Sequence, residues 1–262
     1  MNIKPKKSLG QNFLIDQNIL KKITNTTKIK GNEILEIGPG TGNLTNEILK
    51  NNPKKIYVIE KDNYLIKLLS EKFSDKINII ANDVLKINEN KITNKKLTVF
   101  GNLPYNISTK ILSNWILNLN KTYWFNELVL MFQKEVADRI IAEANTSNYG
   151  RLSILSSWKL QIKKVFDIKP ESFYPKPKIQ SSLLVFYPKK NFFEINNSKN
   201  LEMITRIFFS QRRKMIKKPF NLIFNNSKEI SQKLNIDLNL RPQNLSPETY
   251  FKLTKEYENL KS

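Results

Sequence analysis

Between Glu33 and Phe132, short β-rich apolar runs alternate with amphipathic segments: "EILEIG", "TGNLTNEILKNN", "KKIYVIE", "NYLIKLLSEKF", "KINIIAND", "KLTVFGNL", "STKILSNWILNL" and "ELVLMFQ" follow in order. No other feature constrains the fold as much. Such alternation is the signature of βαβα units, and it predicts an α/β domain with a parallel sheet. Upstream, "DQNILKKITNTTKI" places Ile19, Leu20 and Ile23 at helical spacing behind a candidate Asp16 cap, which predicts a helix laid against the sheet.

After Gln133, "KEVADRIIAEA" reads as a helix and "YGRLSILSSWKLQ" as a helix or a loop and helix. "IKKVFDIKP" and "KIQSSLLVFYPKK" read as two late strands, and the proline-rich "KPESFYPKPK" between them reads as a structured loop. Composition shifts over "YPKKNFFEINNSKN", residues 187–200, and helical patterns such as "LEMITRIFFSQRRKMIKK" follow. The expected division is therefore a larger α/β domain, residues 1–190, and a small all-helical domain, residues 191–262. With 262 residues and 40% hydrophobic content, the chain can bury the core this requires.

Lys and Arg number 44 against 23 Asp and Glu, a formal charge of +21. That excess points to a polyanionic partner, nucleic acid or an acidic membrane surface, although a lysine- and asparagine-rich texture also follows from biased composition alone. Absences narrow the chemistry further, because the chain has no cysteine and no histidine. Thiolate nucleophiles, disulfides, cysteine-ligated zinc, iron–sulfur clusters and histidine-centred triads all drop out, and with them methyl transfer through cysteine attack on a pyrimidine ring. The basic N-terminal stretch is not followed by an apolar run of signal-peptide length, and no run of about 18 apolar residues occurs anywhere. A cytoplasmic protein without membrane association is expected, and its basicity disfavours tight self-association, so a monomer is expected too.

"EILEIGPGTGNLT" follows a strand and opens a helix with Gly38, Gly40 and Gly42 in alternation. This spacing makes a tight turn against which a ligand can lie, with free N–H groups at a helix N-terminus near Thr41. A dinucleotide fingerprint would place a third glycine at the sixth position from Gly38, where Asn43 stands. Glu60 ends the next strand twenty positions after Gly40, where a carboxylate can accept both hydroxyls of a ribose. Asp83, at the end of the third strand, stands where a carboxylate can reach the amino group of an adenine ring. Singly each acid is an ordinary surface residue. Together, a glycine loop and two acids on successive strand ends define a nucleoside site at the carboxyl edge of one sheet. The set resembles the S-adenosylmethionine-dependent methyltransferases, whose first glycine motif E-x-G-x-G-x-G is matched by "EIGPGTG". The resemblance implies a Rossmann-like seven-stranded sheet with the last strand antiparallel, S-adenosyl-L-methionine as methyl donor, and no metal.

"GNLPYN", Gly101 to Asn106, closes the fourth strand. An adenine amine is planar because its lone pair is delocalised into the ring, so a methylating enzyme must localise that pair. The Asn102 side-chain oxygen and the backbone carbonyl of Leu103 or Pro104 are candidate acceptors for the amine hydrogens. Pro104 fixes the turn and adds no competing donor, and Tyr105 can stack on an unpaired base. No general base is required, which agrees with a chain lacking histidine. Taken alone, Asn-Leu-Pro-Tyr would be an ordinary proline turn with a packed tyrosine. Its place after three cofactor signals gives it a function.

"SLGQNFL", "EIGPGTGNLT", "VIEKD", "NDVLK", "GNLPYNIST", "FQKEVADRI", "YGRLSI" and "FYPKPKIQSSLL" together resemble the ribosomal RNA adenine dimethyltransferases over about the first 190 residues, and "FFSQRRKMIKKP" resembles that family's small helical domain. The resemblance implies that Asn12 and Leu14 touch the methionine or ribose side of the cofactor, Gly38 its methionine moiety, Glu60 its ribose and Asp83 its adenine. It also implies that Asn102 faces both cofactor and target amine. Leu103, "FYPKPKIQSS" and "QRRKMIKK" resemble the branch that dimethylates two adjacent adenosines in the terminal hairpin of 16S rRNA within a small-subunit precursor. Two alternatives stay open: an adenine methyltransferase of the 23S rRNA antibiotic-resistance or DNA type, and a ribosome-assembly or RNA-binding factor with vestigial catalysis. Basic clusters at Lys4 to Lys7, Lys163 and Lys164, Lys176 to Lys178, and Arg212 to Lys218 are candidate phosphate contacts.

Overall fold

The computed structural model describes residues 5, 6, 9–119 and 122–261. Lys4 and Lys7 of the first basic cluster, and Ser8 of "SLGQNFL", lie outside the described residues. In chain order the elements are β1 (Phe13–Leu14), α1 (Gln17–Thr24), β2 (Glu33–Ile37), α2 (Asn43–Lys50), β3 (Lys55–Glu60), α3 (Asn63–Phe73), β4 (Asn78–Ala81), β5 (Leu97–Asn102) and α4 (Ser108–Asn118). There follow β6 (Phe125–Gln133), α5 (Lys134–Ile140), α6 (Arg151–Lys159), β7 (Leu160–Ile168), β8 (Phe173–Tyr174) and β9 (Ser181–Pro188). The last helices are α7 (Ser198–Phe209), α8 (Lys217–Ile223), α9 (Ser227–Lys233) and α10 (Pro247–Asn259).

Seven strands form one sheet in the order β4-β3-β2-β5-β6-β9-β7. β2 pairs in parallel with β3 and β5, β3 with β4, and β5 with β6, whereas β9 runs antiparallel to β6. This is the α/β, Rossmann-like sheet expected, with the last strand reversed. All five residues of β2 are buried, as a strand covered on both faces requires. Around it, Ile34, Ile48, Val58, Leu69, Phe100 and Val129 belong to one continuous apolar core. The strand order reverses beside β2, between the β3 and β5 sides, and there the carboxyl ends of the parallel strands leave a crevice.

Asp16 caps α1 by accepting from the Asn18 and Ile19 amides at 2.9 and 3.2 Å, so the predicted helix starts where its cap demands. The proline-rich loop holds an element that no periodicity announces: β8 pairs antiparallel with β1, Phe13 opposite Tyr174 and Leu14 opposite Phe173. The helix of "KEVADRIIAEA" stops at Ile140, and "LEMITRIFFSQRRKMIKK" is broken between Phe209 and Lys217 into two helices.

By compactness the chain falls into two units, residues 1–114, 119–137 and 162–188, and residues 115–118, 138–161 and 189–262. The second unit thus takes in α6 as well as the C-terminal helices. Its core is aromatic: Phe208 meets Phe220 and Tyr250 edge to face, with centroids 6.3 and 5.6 Å apart. Tyr250 donates its buried hydroxyl to the Pro242 carbonyl at 2.7 Å. Among the described residues, no helix is long and apolar enough to cross a membrane.

Candidate active site

One cavity opens at the carboxyl ends of β2 to β5, and Asn12, Leu14, Gly38, Gly40, Glu60, Asp83, Asn102, Leu103, Pro104 and Tyr105 all line it. Residues far apart in sequence therefore converge on one space.

The three glycines of the turn all have positive φ, 65°, 59° and 77°. The Gly42 amide closes onto the Pro39 carbonyl at 2.9 Å, so α2 begins at Asn43 with Gly42 as its cap, not at Thr41 as the spacing suggested. Each glycine has its own reason. A Cβ on Gly42 would sit 2.4 Å from the Phe73 ring and one on Gly40 2.7 Å from the Phe13 ring, while one on Gly38 would meet nothing nearer than the Asn102 carbonyl at 3.7 Å. Packing excludes side chains at Gly40 and Gly42. At Gly38 the absent side chain leaves room in the cavity, which fits a ligand laid against the backbone.

Glu60 is 8% exposed. Its Oε1 accepts from the Lys61 and Asp62 amides, both at 2.9 Å, and its Oε2 from the Gly40 amide at 3.3 Å. Burial pushes its pKa up, against the opposing pull of those amides. The longer, single contact at Oε2 leaves acceptor capacity for hydroxyl donors. Asp83 caps the short turn Val84–Lys86 through the Leu85 amide at 3.0 Å and pairs with Lys61 Nζ at 2.7 Å. The Lys61 hydrogen bond holds its carboxyl below the ordinary range. Each oxygen carries a second lone pair, so an adenine amine can still be accepted.

Asn102 donates its Nδ2 to the Asn12 carbonyl at 2.7 Å. With the amine end of the amide so engaged, Oδ1 is left as the acceptor, the polarity that an incoming amine needs. Of the two candidate backbone acceptors, the Pro104 carbonyl already takes the Ile107 amide at 3.0 Å, which favours Leu103. The Leu103 side chain is buried and fills the space beside Gly101, where a Cβ would lie 2.9 Å from it. Tyr105 is half-buried with its Oη 2.6 Å from Ser181 Oγ, and burial pushes its phenol pKa up.

Asp62 is a further participant that sequence reasoning missed. It accepts from Lys6 Nζ at 2.8 Å, Gln11 Nε2 at 3.0 Å and the Tyr64 amide at 3.0 Å, while its own N–H donates to Glu60. Burial works to raise its pKa, but the Lys6 and Gln11 hydrogen bonds outweigh it and the carboxyl sits low. The segment bearing Asn12 is thereby tied to the strand end bearing Glu60. The only signal for this in the sequence is an acid before "NYLIKLL", the mark of a helix cap.

A family model described as "Ribosomal RNA adenine dimethylase" matches residues 2–259. The chain belongs to the ribosomal RNA adenine dimethylase family. It is 67% identical over 261 residues to the "Ribosomal RNA small subunit methyltransferase A" of Pelagibacter ubique, with 100% of both chains covered. Among solved structures it is similar to a dimethyladenosine transferase from Plasmodium falciparum, at 28% identity and a TM-score of 0.77, covering 94% of this chain and 98% of that one. The 23S rRNA methyltransferase ErmE shares the fold, at 21% identity and a TM-score of 0.68 over 94% of this chain and 99% of that one.

Proposed function

We propose that this chain dimethylates the exocyclic amines of two adjacent adenosines in the 3′-terminal hairpin of 16S rRNA, using S-adenosyl-L-methionine, during small-subunit biogenesis. The single observation that carries the chemistry is the Asn102 amide, which lines the cavity with its Nδ2 held by the Asn12 carbonyl and so keeps Oδ1 as an acceptor. The choice of RNA is supported by full-length similarity to a relative named for the small subunit.

S-adenosyl-L-methionine supplies an electrophilic sulfonium methyl. Glu60 would hold its ribose hydroxyls, Asp83 its adenine amine, Gly38 its methionine moiety, and Asn12 and Leu14 the methionine or ribose side. Asn102 Oδ1 and the Leu103 carbonyl accept the hydrogens of the target amine and localise the nitrogen lone pair toward the methyl. Pro104 holds that turn and Tyr105 stacks on the base, which must leave its helix to enter. As the N–C bond formed, the donor's S–CH3 bond would break and its sulfur would leave as a neutral thioether, and the amine proton, now acidic, would pass to water. Catalysis is positioning and electrostatic preorganisation, with no general base and no metal.

Residues 1–190 would carry cofactor and catalysis, and residues 191–262 would bind rRNA. In the second unit, Arg213, Lys214, Lys217, Lys218 and Arg241 line one groove with Asn221 and Asn239, a surface suited to phosphates. The protein would act as a cytoplasmic monomer on a small-subunit precursor. The test is transfer of labelled methyl to small-subunit particles lacking terminal-hairpin methylation, with large-subunit RNA and duplex DNA in parallel, followed by nucleoside analysis. Dimethyladenosine confined to the hairpin is expected. Incorporation into the other substrates alone would overturn the choice of RNA, and particle binding with no incorporation would overturn the activity.

A further inference from the structure

Ser181 opens β9 opposite Gln133, the last residue of β6, and is fully buried. Its hydroxyl reaches Tyr105 Oη, 76 positions away in the chain. At the other end of the same tyrosine, the backbone carbonyl accepts from Ser108 Oγ at 3.3 Å. A half-buried phenol at a cavity wall has two soft torsions and would sweep through several poses if only its backbone were held. With its tip fixed as well, the ring has one.

We infer that Ser181 is a positioning residue for methyl transfer: its hydroxyl clamps the far end of Tyr105 so that the ring face stands fixed beside the Asn102 amide. The inference rests on the proposed reading that the target adenine stacks on Tyr105. Under that reading the base is met at its edge by Asn102 and on its face by Tyr105, and each of those side chains is oriented by a partner from a distant segment, Asn12 or Ser181. Orientation of this kind lies outside the reacting atoms and acts on rate through the fraction of bound bases in an attacking pose.

The clamp matters unequally for the two methylations. An unmodified amine has two hydrogens for the acceptors of the Asn-Leu-Pro turn. After one transfer it has a methyl and a single hydrogen, so one edge hydrogen bond is gone and the base depends more on its face contact. Loosening Tyr105 therefore slows the second transfer more than the first. A purely structural contribution of Ser181 would lower the folded fraction and leave the ratio of the two products unchanged.

Ser181→Ala, Tyr105→Phe and the double variant, assayed on unmethylated small-subunit particles with separate titration of S-adenosylmethionine, distinguish these roles. Tyr105→Phe keeps the ring and deletes the same hydrogen bond from the cavity side, so it tests the clamp even where Ser181→Ala folds poorly. Both single variants are expected to bind cofactor as wild type does, to slow the second transfer about tenfold, and to accumulate monomethyladenosine. The double variant should be no worse than either single one, because both remove one bond. Unchanged product ratios in Tyr105→Phe, or defects that multiply in the double variant, would overturn the clamp. Failure of wild type to methylate particles would overturn the proposed function beneath it.

Discussion

Glu36 shows how far burial moves a side chain in this sheet. It lies in β2, 2% exposed, and accepts from Thr45 Oγ1 at 2.6 Å. Burial pushes its pKa from the usual 4.5 up to about 7, with the Thr45 hydrogen bond opposing and the Glu60 charge adding to the rise. Because the folded value exceeds the unfolded one, the stabilisation is fully present below about pH 4.5 and is lost as pH rises through about 7. Glu36→Gln should match wild type at about pH 4 and exceed it at pH 8 by up to about 3 kcal/mol, measured by urea unfolding at both values. A difference independent of pH would contradict the assignment. The glycines part in the same way: Gly42→Ala, whose methyl enters the Phe73 ring, should cost stability by more than the ~1 kcal/mol of a left-handed residue. Gly38→Ala should instead show its main effect as weakened S-adenosylmethionine binding by calorimetry.

Among the elements, six strands of the seven-stranded sheet are legible as apolar runs, while β7 alternates and begins at Leu160, inside a segment that reads as helical, because it follows α6 with no turn between them. The β1–β8 pair is not legible: strands of two residues carry no period, and their partners lie some 160 positions apart. The break between α7 and α8 is marked by no proline or glycine, only by the polar run Ser210 to Lys214, which an exposed helix face would also show. The ten candidate site residues were legible because they end strands or fill motif positions, whereas Asp62 and Ser181 act through partners 51 and 76 positions away. Long-range pairing leaves no local pattern. Asp16 joins the two kinds, as a readable cap that also accepts from Ser172 Oγ at 3.2 Å. Asp16→Ala should therefore destabilise the protein by about 1–2 kcal/mol, at the upper end for a cap, seen as a lower urea midpoint with unchanged slope. A loss within a few tenths would mean the cap is idle.

For the whole molecule, a charge of +21 is a statement about partners, yet its members are not equivalent. Lys164 is paired with Asp167 at 2.8 Å and Lys176 with Glu171. Arg212 donates to Gln243 Oε1 and to the Thr146 and Ser147 carbonyls, an arrangement that braces the second unit. Arg213, Lys214, Lys217 and Lys218 line the groove instead. Replacing those four by Gln should weaken particle binding and flatten its salt dependence by roughly 0.7–0.9 in log–log slope for each phosphate left without its cation. Arg212→Gln should lower thermal stability. Equal salt slopes in the fourfold variant and wild type would remove the groove from the RNA interface. On the proposed reading all of this serves one event, a methyl placed on an adenine amine held by Asn102. Asn102→Ala is the most direct test, with methyl transfer and S-adenosylmethionine affinity measured on the same preparation. Transfer reduced by about 10³-fold or more, with cofactor affinity within a few-fold of wild type, is predicted. Near-normal turnover would contradict the account at its centre.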